Sequence, residues 1–256
     1  MNLFNRKPEP ITYRTPGGDV YTLFEQMTAG NHLLIAGATG SGKSILIQGL
    51  MHNMIMHGPA SVRFILIDPK RVELSEYRDC PHCVHYGNTT ESMVSGLQYA
   101  VQIMEQRLTV MEQRRERKWT GSRLYVVIDE LADLLTVQPC RKLCLPLLQS
   151  LLQTARAAGI VLIAATQTVL STVIPSTLKC NIPDRVALRT ATAQDSRNII
   201  AQAGAERFPD PERTGKALCY WRHGANLDLY NVPTYPTEEH ERVLNHWRTP
   251  ALYRVA

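Results

Sequence analysis

Four runs of the chain are apolar almost throughout, broken only by His32 and Arg63, rather than alternating: residues 32–36, 62–67, 124–128 and 160–165. Continuous apolar runs of this length mark strands covered on both faces, as in a parallel sheet. Between them lie stretches of helical period. Leu46, Ile47, Leu50, Met51, Met54 and Ile55 share one face between Ser44 and His57, and Gly58-Pro59 stops that helix. A longer stripe, Met93, Leu97, Val101, Met104, Leu108 and Met111, predicts a helix from Glu91 to about Trp119. A Leu-rich helix is expected to begin near Pro146, since proline suits a first helical turn, and to end at Ala157-Ala158-Gly159. Arg185 to Leu188 reads as a fifth strand, residues 217–221 and 227–232 as two more, and Glu238 to Trp247 as a last helix. Ahead of these, residues 11–14 and 20–24 flank a Thr-Pro-Gly-Gly-Asp turn and predict a hairpin.

Strands alternating with helices predict an α/β fold, a mostly parallel sheet with helices on both faces. The expected organisation is an N-terminal leader with a hairpin over residues 1–19 and one large domain over residues 20–256. No internal repeat or low-complexity linker divides the domain.

The first buried strand runs directly into Gly37-Ala38-Thr39-Gly40-Ser41-Gly42-Lys43-Ser44, and a helix opens at once with Ile45. This satisfies G-x-x-x-x-G-K-[ST] in the strand-to-helix context that a phosphate loop needs. Glycines let successive N–H groups turn inward on a phosphate chain, and the helix N-terminus adds partial positive charge. Lys43 would reach the β- and γ-phosphates of ATP, and the Ser44 hydroxyl would ligate Mg²⁺. The other half of such a site is a carboxylate at a neighbouring strand tip, and Asp129-Glu130 closes the third buried strand. Asp129 would hold the magnesium ion, and Glu130 would polarise the attacking water as general base. The competing reading is that the pair caps the next helix. Gln167 ends the fourth strand, where a glutamine either senses the γ-phosphate or simply terminates the strand.

Composition changes this picture little. With 256 residues, 44% of them hydrophobic, the chain can build one sizeable core. A net charge of +5 suits a polyanionic partner without requiring one. No run of about 18 apolar residues predicts a membrane helix, and residues 1–18 lack the apolar centre of a signal peptide. A cytoplasmic location is therefore expected, and with it six free thiols. Cys80, Cys83 and His85 offer at most three zinc ligands where a closed structural site needs four, so a loop packing two thiols is the preferred reading.

With those pieces in place, the chain resembles the motor domain of the FtsK/SpoIIIE family of double-stranded DNA translocases. The matching stretches are HLLIAGATGSGKS at 32–44, RFILIDPKRVELSEY at 63–77, VVIDELADLL at 126–135, ARAAGIVLIAATQ at 155–167 and NIPDRVALRTATAQDSRNIIAQAGAE at 181–206. The resemblance implies a RecA-like P-loop ATPase that assembles as a homo-oligomeric ring, a hexamer, around duplex DNA. ATP would lie between subunits, and an arginine from the neighbour would complete each site. By motif, Arg156 is the first candidate for that finger, Arg185 the second and Arg197 the third. The loop from Thr168 to Cys180 corresponds to the family's DNA-facing loop. Thr168 stands where the family usually has arginine, while Lys179 keeps a basic position. The Arg114–Lys118 cluster is either a further DNA contact or a solvated helix end. The segment between the long helix and the third strand is shorter than usual, and neither a membrane-spanning N-terminus nor a winged-helix module is expected. These departures predict a stand-alone motor serving a plasmid, phage or mobile element in transfer, segregation or packaging, with a recruiting protein to place it on DNA or at the membrane. Two other readings stay open: an ATP-dependent assembly switch acting on a protein partner, and a type VII secretion-like ATPase.

Overall fold

A computed structural model of the chain describes residues 9–10, 27–28, 30–232 and 237–248. The hairpin expected from residues 11–14 and 20–24 lies outside the described residues. The strands are β1 (Glu9–Pro10), β2 (Leu33–Ala36), β3 (Val62–Ile67), β4 (Cys83–Gly87), β5 (Arg123–Ile128), β6 (Ile160–Thr166), β7 (Asp184–Ala187), β8 (Ala217–His223) and β9 (Asn226–Val232). They form one sheet in the order β1-β9-β8-β7-β2-β6-β5-β3-β4. From β7 to β4 every pairing is parallel, whereas β8 runs antiparallel to both β7 and β9. The fold is thus α/β with a mostly parallel sheet, as the strand pattern predicts.

Eight helices are described: α1 (Lys43–Ile55), α2 (Thr90–Arg114), α3 (Leu131–Thr136), α4 (Cys140–Thr154), α5 (Ser176–Cys180), α6 (Ala193–Ile200), α7 (Pro211–Thr214) and α8 (Thr237–Arg248). Alternate residues of each strand feed two separate cores. Leu34, Ile65, Val126 and Leu162 point to the side covered by α2, α4 and α6. Leu33, Ile35, Phe64, Val127 and Ile163 point to the side covered by α1 and α8. Each such buried side chain contributes roughly 1.5–3 kcal/mol, so the central strands cannot slip register without exposing both faces.

Three expectations are corrected. α4 begins at Cys140 and carries Pro146 in its interior rather than at its start. The stripe Cys140, Cys144, Leu148, Leu151 and Leu152 is buried, while Pro146 and Lys142 are exposed, so the Lys142 carbonyl that Pro146 cannot pair with faces solvent. α2 stops at Arg114, not near Trp119, because Arg115 turns left-handed and the chain folds back to hydrogen-bond Trp119 N–H to the Ala157 carbonyl at 2.9 Å. Cys83 does not lie in a loop but starts the edge strand β4. Its thiol donates to the His85 carbonyl, and His85 Nε2 pairs with the Ser92 carbonyl. Among the described residues no cluster of His, Cys, Asp or Glu is placed to hold a metal ion as a set of three, and all six cysteines are free. No described helix is long and apolar enough to cross a membrane.

His32, just before β2, is fully buried, and its Nδ1 accepts the Leu162 N–H at 2.9 Å. The ring is therefore neutral with its proton on Nε2. Burial, helped by the nearby Arg156 charge, lowers its pKa from 6.5 to about 4. The unfolded chain takes up this proton near pH 6.5 and the fold resists it, so stability is complete above that pH and falls as pH drops toward 4. The unfolding free energy from urea titrations should decrease by about 2–3 kcal/mol through this residue between pH 7 and pH 4.5. In His32→Asn, which keeps an acceptor for Leu162 but cannot titrate, that part of the slope should vanish.

Candidate nucleotide site

The carboxyl ends of β2, β3, β5 and β6 converge on one edge of the sheet, and the candidate residues gather there. Gly37 N–H donates to the Thr166 carbonyl at 3.4 Å and Ala38 N–H to the Arg189 carbonyl at 2.8 Å, which ties the loop to the two strands flanking β2. Gly40 and Gly42 adopt φ of +71° and +93°, left-handed conformations that turn backbone N–H groups to one side. At Gly42 a Cβ would stand 2.6 Å from that of Ala217, so the position excludes a side chain twice over. α1 opens at Lys43 with no side-chain cap, leaving its first N–H groups for a ligand.

Glu130 organises the floor of the site. It occupies the N-cap position of α3 but makes no capping bond, which removes the helix-cap reading. Its Oε1 instead accepts the Thr166 hydroxyl at 2.6 Å and the Gln167 N–H at 3.1 Å. Its Oε2 pairs with Lys70 Nζ at 3.2 Å and Lys43 Nζ at 3.5 Å. Burial alone would raise its pKa, but the Thr166 hydroxyl, the Lys43 charge, the Gln167 N–H and Lys70 together bring it below the usual value. Asp129, beside it, goes the other way: burial outweighs Lys43, the Glu73 and Asp68 charges add to it, and the pKa rises to about 6. Gln167 Oε1 accepts the Thr39 hydroxyl at 3.1 Å, so the strand tip, the phosphate loop and Glu130 form one connected set.

Above Glu130 opens a cavity of about 510 Å³, whose walls include Ala38, Thr39, Gly40, Gly42, Lys43, Ser44, Ile45, Lys70, Glu73, Asp129, Gln167, Pro211 and Glu212. The donor set fits a nucleoside triphosphate with Mg²⁺: left-handed glycines and an ammonium for phosphates, and the Ser41 hydroxyl buried without a partner beneath them. The Ser44 hydroxyl, with Asp129 and Glu73 at the same cavity, supplies the hard oxygen ligands that Mg²⁺ prefers. Ser44 Oγ now donates to Glu73 Oε1 at 2.5 Å.

Sequence reasoning missed four contributors. Lys70 and Glu73 follow β3, Thr166 ends β6, and Glu212 reaches Gly40 from α7. The first three sit at or just past strand tips beside the phosphate loop, a position where α/β folds collect ligand contacts. Glu212 carries no such signal.

The arginine and DNA candidates lie elsewhere. Arg156 is exposed on the turn before β6, at the amino end of that strand. The seven-residue strand β6, which ends at Thr166, separates it from the phosphate loop, roughly 20 Å from first to last residue at 3.3 Å per step, beyond the reach of its side chain to the phosphate loop of its own chain. Arg185 donates to the carbonyls of Ile182, Ile199 and Lys179. Arg197 is exposed at α6, near Gln194. Lys179 is buried, and its ammonium donates to the Val169 carbonyl and Ser171 hydroxyl at 3.1 Å, bracing the loop after β6 from inside. Burial, with the Arg185 charge, lowers its pKa. Thr168 is half-buried, with its N–H bonded to Thr166 Oγ1. Arg114, Arg115, Arg117 and Lys118 are exposed.

The sequence matches the FtsK/SpoIIIE family over residues 5–203. It is 40% identical over 189 residues to a DNA translocase FtsK of Caldanaerobacter subterraneus, covering 69% of this chain and 26% of that protein. A DNA translocase FtsK of Lactococcus lactis is 36% identical over 203 residues, covering 71% and 27%. The chain thus spans about a quarter of the length of the curated relatives it matches. Among solved structures, the pCW3 conjugation coupling protein TcpA with ATPγS superposes with a TM-score of 0.72 at 23% identity, over 86% of this chain and 65% of that one. ATPases 2 and 3 of EssC from Geobacillus thermodenitrificans give 0.70 at 16% identity, over 86% and 44%. The cytoplasmic domain of the type VII secretion ATPase EccC from Thermomonospora curvata gives 0.68 at 22%, over 85% and 28%. These neighbours share the fold.

Gly42→Ala should weaken nucleotide binding at least tenfold, because a left-handed residue with a Cβ costs about 1–2 kcal/mol before the clash with Ala217 is counted. Titration with a fluorescent ATP analogue measures this. Unchanged affinity would mean that the left-handed cradle is not the phosphate site.

Proposed function

The chain belongs to the FtsK/SpoIIIE family, and from that premise we propose that it is a motor that hydrolyses ATP at the interfaces of a homo-oligomeric ring, a hexamer, to move duplex DNA. The supporting observation is the separation of its catalytic parts. The phosphate loop, Asp129 and Glu130 share one edge of the sheet, while Arg156, the finger candidate, is exposed at the other. An arginine so placed serves catalysis only on another copy. A head-to-tail contact that joins opposite edges of identical subunits forms a ring when its rotation closes, and a ring is the closed assembly this reading takes.

In this reading Gly37 to Ile45 cradle the phosphates of ATP, and Ser44 and Asp129 hold Mg²⁺. The ion would neutralise charge on the transferring phosphoryl group. Glu130, kept ionised by Thr166 and the Gln167 N–H, orients and polarises the attacking water. Lys43 exchanges its long 3.5 Å contact with Glu130 for the phosphate chain. Gln167, bonded to Thr39 and followed directly by the Thr168–Cys180 loop, transmits loss of the γ-phosphate toward DNA. Lys179 supports that loop from within rather than gripping phosphates directly. Arg156 supplies the charge from the neighbouring subunit, a contribution of about 10³–10⁵ in rate for such fingers. Arg185, with its guanidinium spent on three backbone carbonyls, shapes the start of β7 instead.

Steady-state ATP hydrolysis, with and without long linear duplex DNA, tests this reading. Duplex should stimulate the wild type, the stimulation should weaken as salt rises, and Lys43→Ala and Arg156→Ala should each abolish it. Mixing the two inactive variants should restore part of the activity, because a Lys43→Ala subunit still offers its finger to an intact site next door. If nucleotide binds but hydrolysis ignores DNA, the assembly-switch reading replaces the motor. If the mixture stays inactive, the site is not shared between copies.

A further inference from the structure

The turn that carries Arg156 is held by an unusual pair. Arg107, on α2, is buried, yet among the described residues it pairs with no carboxylate. Its Nη1 donates to the Ala158 carbonyl at 2.9 Å and the Gly159 carbonyl at 3.3 Å. Its guanidinium carbon lies 4.8 Å from the centroid of the Trp119 ring. Trp119 holds the same turn through its backbone N–H, which bonds the Ala157 carbonyl at 2.9 Å, while its Nε1–H is anchored on the Ser122 carbonyl at 3.1 Å. The ring lies flush on Gly159, whose φ is +69° and where a Cβ would stand 2.7 Å from Trp119 Cδ1. Three consecutive carbonyls, those of residues 157 to 159, are thus taken immediately after Arg156 by one side chain, Arg107, and by the backbone N–H groups of Trp119 and Leu124.

A buried cation without a counter-ion is costly, and an apolar residue at position 107 would seal α2 against the sheet without that cost. What a leucine could not do is bind two carbonyls of the turn and lie over an indole face. The guanidinium therefore fixes the turn's backbone rather than merely filling space. Trp119 also places Arg117 and Lys118 at the rim of the same cleft, of about 560 Å³, that Arg156 lines. A transition-state contact is sensitive to displacement of 1 Å, at a cost of up to about 10²-fold.

We propose that Arg107 and Trp119 are positioning residues that clamp the 156–159 turn and aim Arg156 at the active site of the neighbouring subunit. This rests on the reading of Arg156 as a finger in trans. Arg107→Ala and Trp119→Ala should lower kcat of DNA-stimulated hydrolysis about 10- to 100-fold with little change in KM for ATP, since each variant's own phosphate loop is intact. Trp119→Phe, which keeps an aromatic face under Arg107, should stay within about threefold of wild type. Each alanine variant combined with Arg156→Ala should be no slower than Arg156→Ala alone. Lys43→Ala subunits, which cannot hydrolyse but carry an intact clamp and finger, should rescue Arg107→Ala when mixed with it; a fold defect would not be rescued in trans. The clamp is overturned, with the finger reading standing, if Arg156→Ala is inactive but the clamp variants turn over normally, lose activity additively with it, or are not rescued. If Arg156→Ala itself retains wild-type kcat, the finger reading and the clamp fall together.

Discussion

The Glu130 carboxylate is the group around which the site is arranged. A buried carboxylate must be paired or protonated, and this one takes two neutral donors from the tip of β6 and two ammonium groups from the loops after β2 and β3. That set of partners forces three strand ends into one constellation before any nucleotide arrives. Asp129, one residue earlier, lacks such donors and has acidic neighbours, so its pKa moves the opposite way. Two adjacent carboxylates in divergent environments are thus suited to different work.

The sheet separates functions by length. Its parallel strands put every phosphate-facing group at their carboxyl ends and leave the Arg156 turn at the amino end of β6. Because both faces of the strands are buried in packed cores, the two edges are mechanically joined. A displacement at one edge can reach the other only by moving the strands or the helices on them. The same rigidity makes a turn such as 156–159 dependent on local bonds for its aim.

Cations are the part of this chain whose roles are least apparent from charge alone. Arg185 and Arg107 spend their donors on backbone carbonyls inside the molecule, and Lys179 spends its on the Val169 carbonyl and the Ser171 hydroxyl. Arg63, Arg114, Arg115, Arg117, Lys118, Arg123 and Arg156 are exposed near the amino edge, on the side away from the phosphate loop.

Local sequence was sufficient for whatever depends on local period and on short-range backbone chemistry. Buried strands announced themselves by nearly unbroken apolar runs, and the phosphate loop by glycines at positions that prove left-handed. The Asp129-Glu130 pair was legible for the same reason, since a strand tip follows directly from where the apolar run ends. Where contacts join distant segments, the sequence was silent or misleading. Pro146 looked like a helix start because sequence does not show that the carbonyl it leaves unpaired faces solvent. Nothing in the sequence named Lys70, Thr166 or Glu212 as a partner of the site, and they reach it because the sheet order sets β6 between β2 and β5 and brings α7 over the loop. Whether an arginine or lysine faces outward depends on which carbonyls lie within its reach, and those carbonyls belong to residues three to fifty-two positions away. Hydrophobic period and glycine conformation are properties of a stretch of chain. The direction of a charge is a property of the packed whole.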